Sequence, residues 1–239
     1  MTNIWDRIQP KYIKNAKEDH NADFAYENLV NTPSLLCLCD ENNDYTLDLG
    51  SGDGRFTRRL EVISNHIYAI DYSMKMISAA KNICTKTNFI HSDLEQPFPR
   101  FKNKFNLITC KLLLMYINDL DNIAKEVSAI MTDNGALVIS VTHPLKWIVD
   151  QQKGTIKSQG YKGYLSEVGV KGNIAKEKEL ELTFLNRTIQ TYTNTFTKHG
   201  FVLEQVIETG VPDFFVIKYP QYLEFQHKPY RLNMKFIKR

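Results

Sequence analysis

From Tyr45 onward the chain alternates two textures, and this constrains its fold more than any other feature. Short apolar runs, YTLDLG (45–50), HIYAID (66–71), NFIHSD (88–93), FNLITC (105–110) and ALVISV (136–141), are separated by helix-patterned stretches at 55–64, 73–84 and 119–131. Strand, helix, strand at this spacing is the pattern of a parallel, doubly wound α/β sheet. Residues 1–44 are polar and helical in pattern, with Pro33 placed as a helix start. Asn134-Gly135 is read as the end of the helix before the fifth strand.

After Pro144 the pattern breaks. Glycines 154, 160, 163, 169 and 172 cluster, and ELELTF (179–184) alternates as an antiparallel strand would. This stretch reads as inserted hairpins and loops. In TIQTYTNTFTKHGF the threonines alternate like a strand, but Ile189, Tyr192 and Phe196 fall at helical spacing before His199-Gly200, which predicts a helix. FVLEQVIE (201–208) and RLNMKFIK (231–238) read as the last strands.

Composition removes several classes. The 239 residues carry 30 Lys+Arg against 27 Asp+Glu, and 43% are hydrophobic, as expected of a globular chain. The longest apolar run, 112–117, is far below the ~20 residues of a membrane helix. The opening MTNIWDRIQP has no apolar signal core. Cys37, Cys39, Cys84 and Cys110 have neither disulfide-framework nor zinc spacing; Cys37 and Cys39 read as buried small hydrophobes in a reduced, cytoplasmic setting. A net charge of +3 argues against a dedicated nucleic-acid binder, and the basic tail from Lys228 reads as a solvated face or strand edge.

The strongest local signal is LDLGSGDG (47–54), where Gly50 and Gly52 turn the chain sharply between a strand and a helix. Asp71 ends the next strand, where an acid accepts both hydroxyls of a ribose. Asp93 ends the third, where a carboxylate accepts from an exocyclic amine. A dinucleotide fingerprint would be G-x-G-x-x-G, whereas the spacing here is Gly50-x-Gly52-x-Gly54. Asp48 and Asp53 would repel a pyrophosphate but suit a sulfonium ligand bearing an ammonium group. That charge pattern favours S-adenosylmethionine (SAM).

LDLGSGDG, YAID, HSDLEQPFP and FNLITCKLLLMYI, in this order, resemble the class I SAM-dependent methyltransferases over about residues 45–142. The resemblance implies a three-layer, mostly parallel, seven-stranded Rossmann-like sheet with N-terminal helices and an inserted cap. It divides the single domain into a helical cap (1–44), a SAM-binding core (45–144), an inserted lid (145–187) and a completion of the sheet (188–239). It further implies that Gly50, Ser51 and Gly52 pack against the methionine moiety, with Asp48 near its amine. Asp71 would bind the ribose, Tyr72 and Met76 would lie beside the adenine, and Asp93 and Leu94 would read its edge. Cys110 and Lys111 would supply main-chain contacts. WDRIQPKY, NTPSLLCLC, VTHPLKW, NRTIQTYTNTFTKHGF and PYRLNMKFIKR resemble a small-molecule branch of bacterial enzymes.

Methyl transfer needs a base only where the acceptor carries a proton. His143, following the fifth strand, is the candidate; the alternative is that His143-Pro144 only turns the chain. Tyr12 is a candidate for cofactor or lid contact. Trp147, Tyr161, Tyr164, Phe184 and Arg187 either line the acceptor pocket or form the insertion's own core. The remaining histidines, 20, 66, 91, 199 and 227, have no metal-ligand spacing and no metal is expected. TCKLLLMY lacks the [DNS]-P-P-[YF] sequence of base and glutamine N-methyltransferases, which leaves a small metabolite as acceptor. The alternatives are a nucleic-acid or protein methyltransferase, a silent SAM-binding subunit and a nucleotide-dependent dehydrogenase. The oligomeric state and the methylated atom, O, N or C, are open.

Overall fold

The computed structural model describes residues 3–17, 21–154, 156, 160–173 and 181–239. His20 and the first two residues of the 179–184 run lie outside these. Helices α1 (Ile4–Lys17), α2 (Ala22–Tyr26) and α3 (Thr32–Leu36) lead into the sheet, α2 and α3 being joined by a π-turn at Glu27–Asn31. Then follow β1 (Asn43–Leu49), α4 (Arg55–Leu60), β2 (Ser64–Asp71), α5 (Met74–Ala80), β3 (Thr87–His91), β4 (Phe105–Lys111), α6 (Leu120–Ile130) and β5 (Met131–Thr142). The chain continues through α7 (Pro144–Gln152), β6 (Gly169–Asn173), β7 (Glu181–Leu185), α8 (Ile189–Lys198), β8 (Phe201–Thr209), α9 (Asp213–Lys218) and β9 (Arg231–Lys238).

The seven-stranded sheet has the order β3-β2-β1-β4-β5-β9-β8. The first five strands are parallel; β9 is antiparallel to both β5 and β8. The apolar runs are continuous because both faces are covered. One face packs Leu49, Ile108 and Phe236 against Val127 of α6 and Phe196 of α8. The other packs Leu107 and Val138 against Leu35 of α3 and Leu60 of α4. Polar caps set the helix starts: Ser73 Oγ accepts from Met76 N, Asp119 from Asn122 N and Thr188 from Thr191 N.

Several expectations are corrected. The 144–152 stretch is helix, with Pro144 in its first turn and His143 as N-cap. Helix α6 ends at Ile130, so Asn134 and Gly135 lie within β5, where pairing to β4 skips between Phe105 and Leu107. Cys37 is exposed and Cys39 half-buried. The basic tail is no edge: β9 lies between β5 and β8, and Leu232, Met234 and Phe236 are buried. The 189–198 segment is helix, as its apolar spacing predicts.

Candidate active site

The strand order reverses at β1, with β2 on one side and β4 on the other, and a ligand crevice forms outside such a switch point. Here the carboxyl ends of the parallel strands open into a cleft of about 1100 Å³, at the upper end of small-molecule sites. Asp48, Gly50, Ser51, Gly52, Asp71 and Asp93 all line it, as do Tyr12, Tyr72, Met76, Leu94 and Lys111. Cys110, the last buried residue of β4, stands behind that wall.

The loop after β1 is held from below. Gly50 N and Ser51 N both donate to Ile70 O of β2. Asp71 then joins two loops with one carboxylate: Gly52 N donates to Oδ2 (2.7 Å) and Ser73 N to Oδ1 (2.8 Å). Gly52 has φ +54°, and a Cβ there would meet no atom within 4 Å, so glycine serves the turn and leaves open space. Burial raises the carboxyl of Asp71 above the ordinary range against the pull of these two amides. Tyr72 is half exposed, and Asn3 Nδ2 donates to its carbonyl, which ties α1 to the cleft rim.

Asp48 is 1% exposed and accepts from Thr57 Oγ1 (2.6 Å) and Thr109 Oγ1 (2.8 Å). Burial pushes it up to about 6 because neutral hydroxyls do not replace water for a full charge. Ser51 Oγ is buried on the same wall with no partner among the described residues. A carboxylate short of positive charge, an orphaned hydroxyl and an open glycine suit a cationic, hydrogen-bonding ligand such as SAM.

The cap supplies the facing wall. The Arg55 guanidinium lies over the Phe24 ring (4.7 Å) and the Tyr12 ring (5.9 Å), with Nε donating to Asp53 Oδ2 (2.7 Å). Glu27, first residue of the π-turn, accepts from Lys111 Nζ at 2.7 Å and Arg231 Nε at 2.8 Å. Burial would raise Glu27, but the two cations hold it down at about 2. Tyr230, Tyr222, Phe225, Trp147 and Phe184 complete an aromatic end.

Three residues expected at the acceptor pocket lie elsewhere. Arg187 is buried and donates to the carbonyls of Leu114, Ile117 and Asn118, shaping the chain after β4. Tyr161 packs with Val170 and Leu182 in a satellite core, and Tyr164 Oη accepts from Ile189 N. Trp147 and Phe184 belong to that core and also face the cleft. His143 is 1% exposed and does not line the cleft. Its Nδ1 accepts from Leu145 N, which places the proton on Nε2, donated to Glu208 Oε1 at 2.7 Å. Neither nitrogen keeps a lone pair for a substrate proton, and burial lowers the ring's pKa. Glu27, Arg55 and Arg231 were missed; Arg231 was hidden in the basic tail, and no local periodicity marks Glu27.

Fold and site together define a Rossmann-like protein with an acid-lined ligand cleft. The model of the methyltransferase domain family matches residues 40–197. The chain belongs to that family and has the class I fold of the SAM-dependent methyltransferases. It is 29% identical over 113 residues to malonyl-[acyl-carrier protein] O-methyltransferase of Buchnera aphidicola, covering 47% of this chain and 45% of that one. The chain thus spans less than half the length of that curated relative. A SAM-dependent methyltransferase from Mesorhizobium loti superposes with a TM-score of 0.69 at 22% identity, over 92% of this chain and 99% of that one. The DhpI–SAM–HEP complex gives 0.65 at 18% identity, over 98% and 94%. These two likenesses are of fold.

Proposed function

We propose that the protein transfers the methyl group of SAM to a small-molecule acceptor at an O, N or C atom. The observation that carries this reading is the roofed cleft: its acid-lined floor suits SAM, and its remaining volume is enclosed by the chain's own α1, α2, α7 and the 220–225 turn. Bound SAM supplies a methyl group already activated by positively charged sulfur. Asp71 presents its carboxylate for ribose hydroxyls, Asp48 offsets the amine's charge, and Ser51 and Gly52 give main-chain surface. Tyr12 and Arg55 cover the opposite side, and closure by the cap excludes water. Holding the reactants in attack geometry is the main task, contributing roughly 7–11 kcal/mol. The hydrogen bonds of His143 support a mechanism in which this residue is not the base.

A small acceptor is further supported by the tail: Arg231 pairs with Glu27, Lys235 with Asp40 and Glu204, and Lys238 donates to Ser128 O and Met131 O. Lys235 and Lys238 are engaged within the fold and Arg231 faces the cleft, so these three cations do not form a surface phosphate track. The test is incubation of cell extract with methyl-labelled SAM, followed by separation of metabolites, RNA and protein. Label in a metabolite is expected; label confined to RNA or protein overturns the reading.

A further inference from the structure

We propose that Lys111 and Arg231, bridged by Glu27, form an anchoring site for a carboxylate of the methyl acceptor. This rests on the reading above that the acceptor enters the same cleft, and it names the acceptor's chemical class.

The cluster holds two cations and one acid, a net charge of +1 on a largely buried wall, with the three side chains 15%, 10% and 13% exposed for Lys111, Arg231 and Glu27. Lysine and arginine together bring eight N–H bonds. Contacts among the described residues meet three of them: Lys111 Nζ to Glu27 Oε2, Arg231 Nε to Glu27 Oε1 and Arg231 Nη1 to Tyr230 O. Both side chains line the cleft. Arg231 is held flat, its guanidinium 4.4 Å from the Tyr230 ring centroid and 5.7 Å from that of Tyr26, which leaves its edge as the donor surface. The unmet donors belong to residues that line the cleft, and an excess of positive charge there favours an anionic ligand. One carboxylate satisfies both deficits, because guanidinium and ammonium match its paired oxygens.

Position separates this anion from the cofactor. Asp48 stands one residue before the end of β1, Asp71 ends β2 and Asp93 follows β3 by two residues, all on one half of the sheet. Lys111 ends β4 and Arg231 opens β9, opposite Thr142 at the end of β5. With ~4.8 Å between strands, β9 lies about 14 Å across the sheet from β1. The strand-end acids thus lie over β3-β2-β1, and the two cations that share Glu27 lie over β4 and β9. A carboxylate gripped by two cations is a weak nucleophile, so it anchors the acceptor while another atom is methylated.

The experiment measures binding of benzoate and decanoate, against benzamide and decanamide, by calorimetry with and without saturating S-adenosylhomocysteine (SAH). The acids should bind at least tenfold tighter than their amides. Lys111→Met should remove that preference while SAH affinity stays within twofold, and Glu27→Gln, which raises the local charge to +2, should tighten the acids at least threefold. Equal binding of acids and amides to the wild type overturns the anchor, and so does a Glu27→Gln variant that leaves acid affinity unchanged. Loss of SAH affinity in Lys111→Met also overturns it, because the pair would then hold the cofactor's own carboxylate. Failure of the wild type to bind SAH defeats the methyl-transfer reading instead, and the comparison without SAH still judges the anchor.

Discussion

At the scale of single residues, the site is governed by what happens to two carboxylates. Burial pushes Asp48 up to about 6 in the folded chain, against ~3.9 for an unfolded aspartate. As pH rises through the lower value the unfolded chain releases its proton first, so this group subtracts stability between pH 4 and 6 and the full deficit stands above that window. Asp48→Asn removes the effect. Urea unfolding should show the variant gaining roughly 2 kcal/mol on the wild type between pH 4 and pH 7. A ligand ammonium favours the charged form, so SAH affinity of the wild type should fall as pH drops below 6, with a flatter profile in the variant. Asp71 works through two charge-assisted hydrogen bonds of about 1.5–3 kcal/mol each. Asp71→Ala should therefore weaken SAH at least tenfold by calorimetry. Both acids were legible because Asp48 stands two residues before the glycine turn and Asp71 ends the next strand. Their internal partners, Thr109 above all, were not, since a hydroxyl 61 residues away leaves no local pattern.

Among elements, the βαβ units and the helical texture of residues 1–44 were legible, and helix α7 after the fifth strand was not. Apolar runs set the strands, whereas α7 was obscured by the glycines that follow it, although His143-Pro144 carried a cap signal. Gly54 shows how an element junction is fixed: its φ is +81°, and a Cβ would lie 2.7 Å from that of Ala80 in α5. Gly54→Ala combines a left-handed penalty of about 1–2 kcal/mol with overpacking of about 1–3 kcal/mol. Chemical denaturation should show a loss of about 2–5 kcal/mol. Helix α1 docks differently, through Asp6 Oδ1, which accepts from Ser73 Oγ and Lys75 N. Asp6→Ala should raise hydrogen exchange across 4–17 at least tenfold and leave β1 and β4 protected. A fall in protection throughout the sheet would show that α1 is part of the core rather than a cover.

On the scale of the whole molecule, the architecture makes the ligand a structural component. SAH at 100 times its Kd should add about 2.7 kcal/mol of stability, or a Tm rise of roughly 5–10 °C for a chain of this size. NAD should add nothing, which checks the acid-lined cleft against a dinucleotide by differential scanning. The class of fold and the acid half of the cleft could be read from residues 45–142 alone. The basic half could not, because Glu27, Lys111 and Arg231 meet only through tertiary folding, with 84 and 204 residues between partners.

The place of β9 bears on how the protein is made. Among the described residues it follows the other strands in chain order, yet it fills the gap between β5 and β8. Until residues 231–238 have left the ribosome, β5 presents an open backbone edge and β8 has no neighbour in the sheet. The same stretch delivers Arg231, so the sheet is closed and the basic wall is completed in one late step. A nascent chain stalled before it would expose two unpaired edges for a chaperone to hold. Binding competence and release from that surveillance should then appear together, once residues 231–238 have emerged.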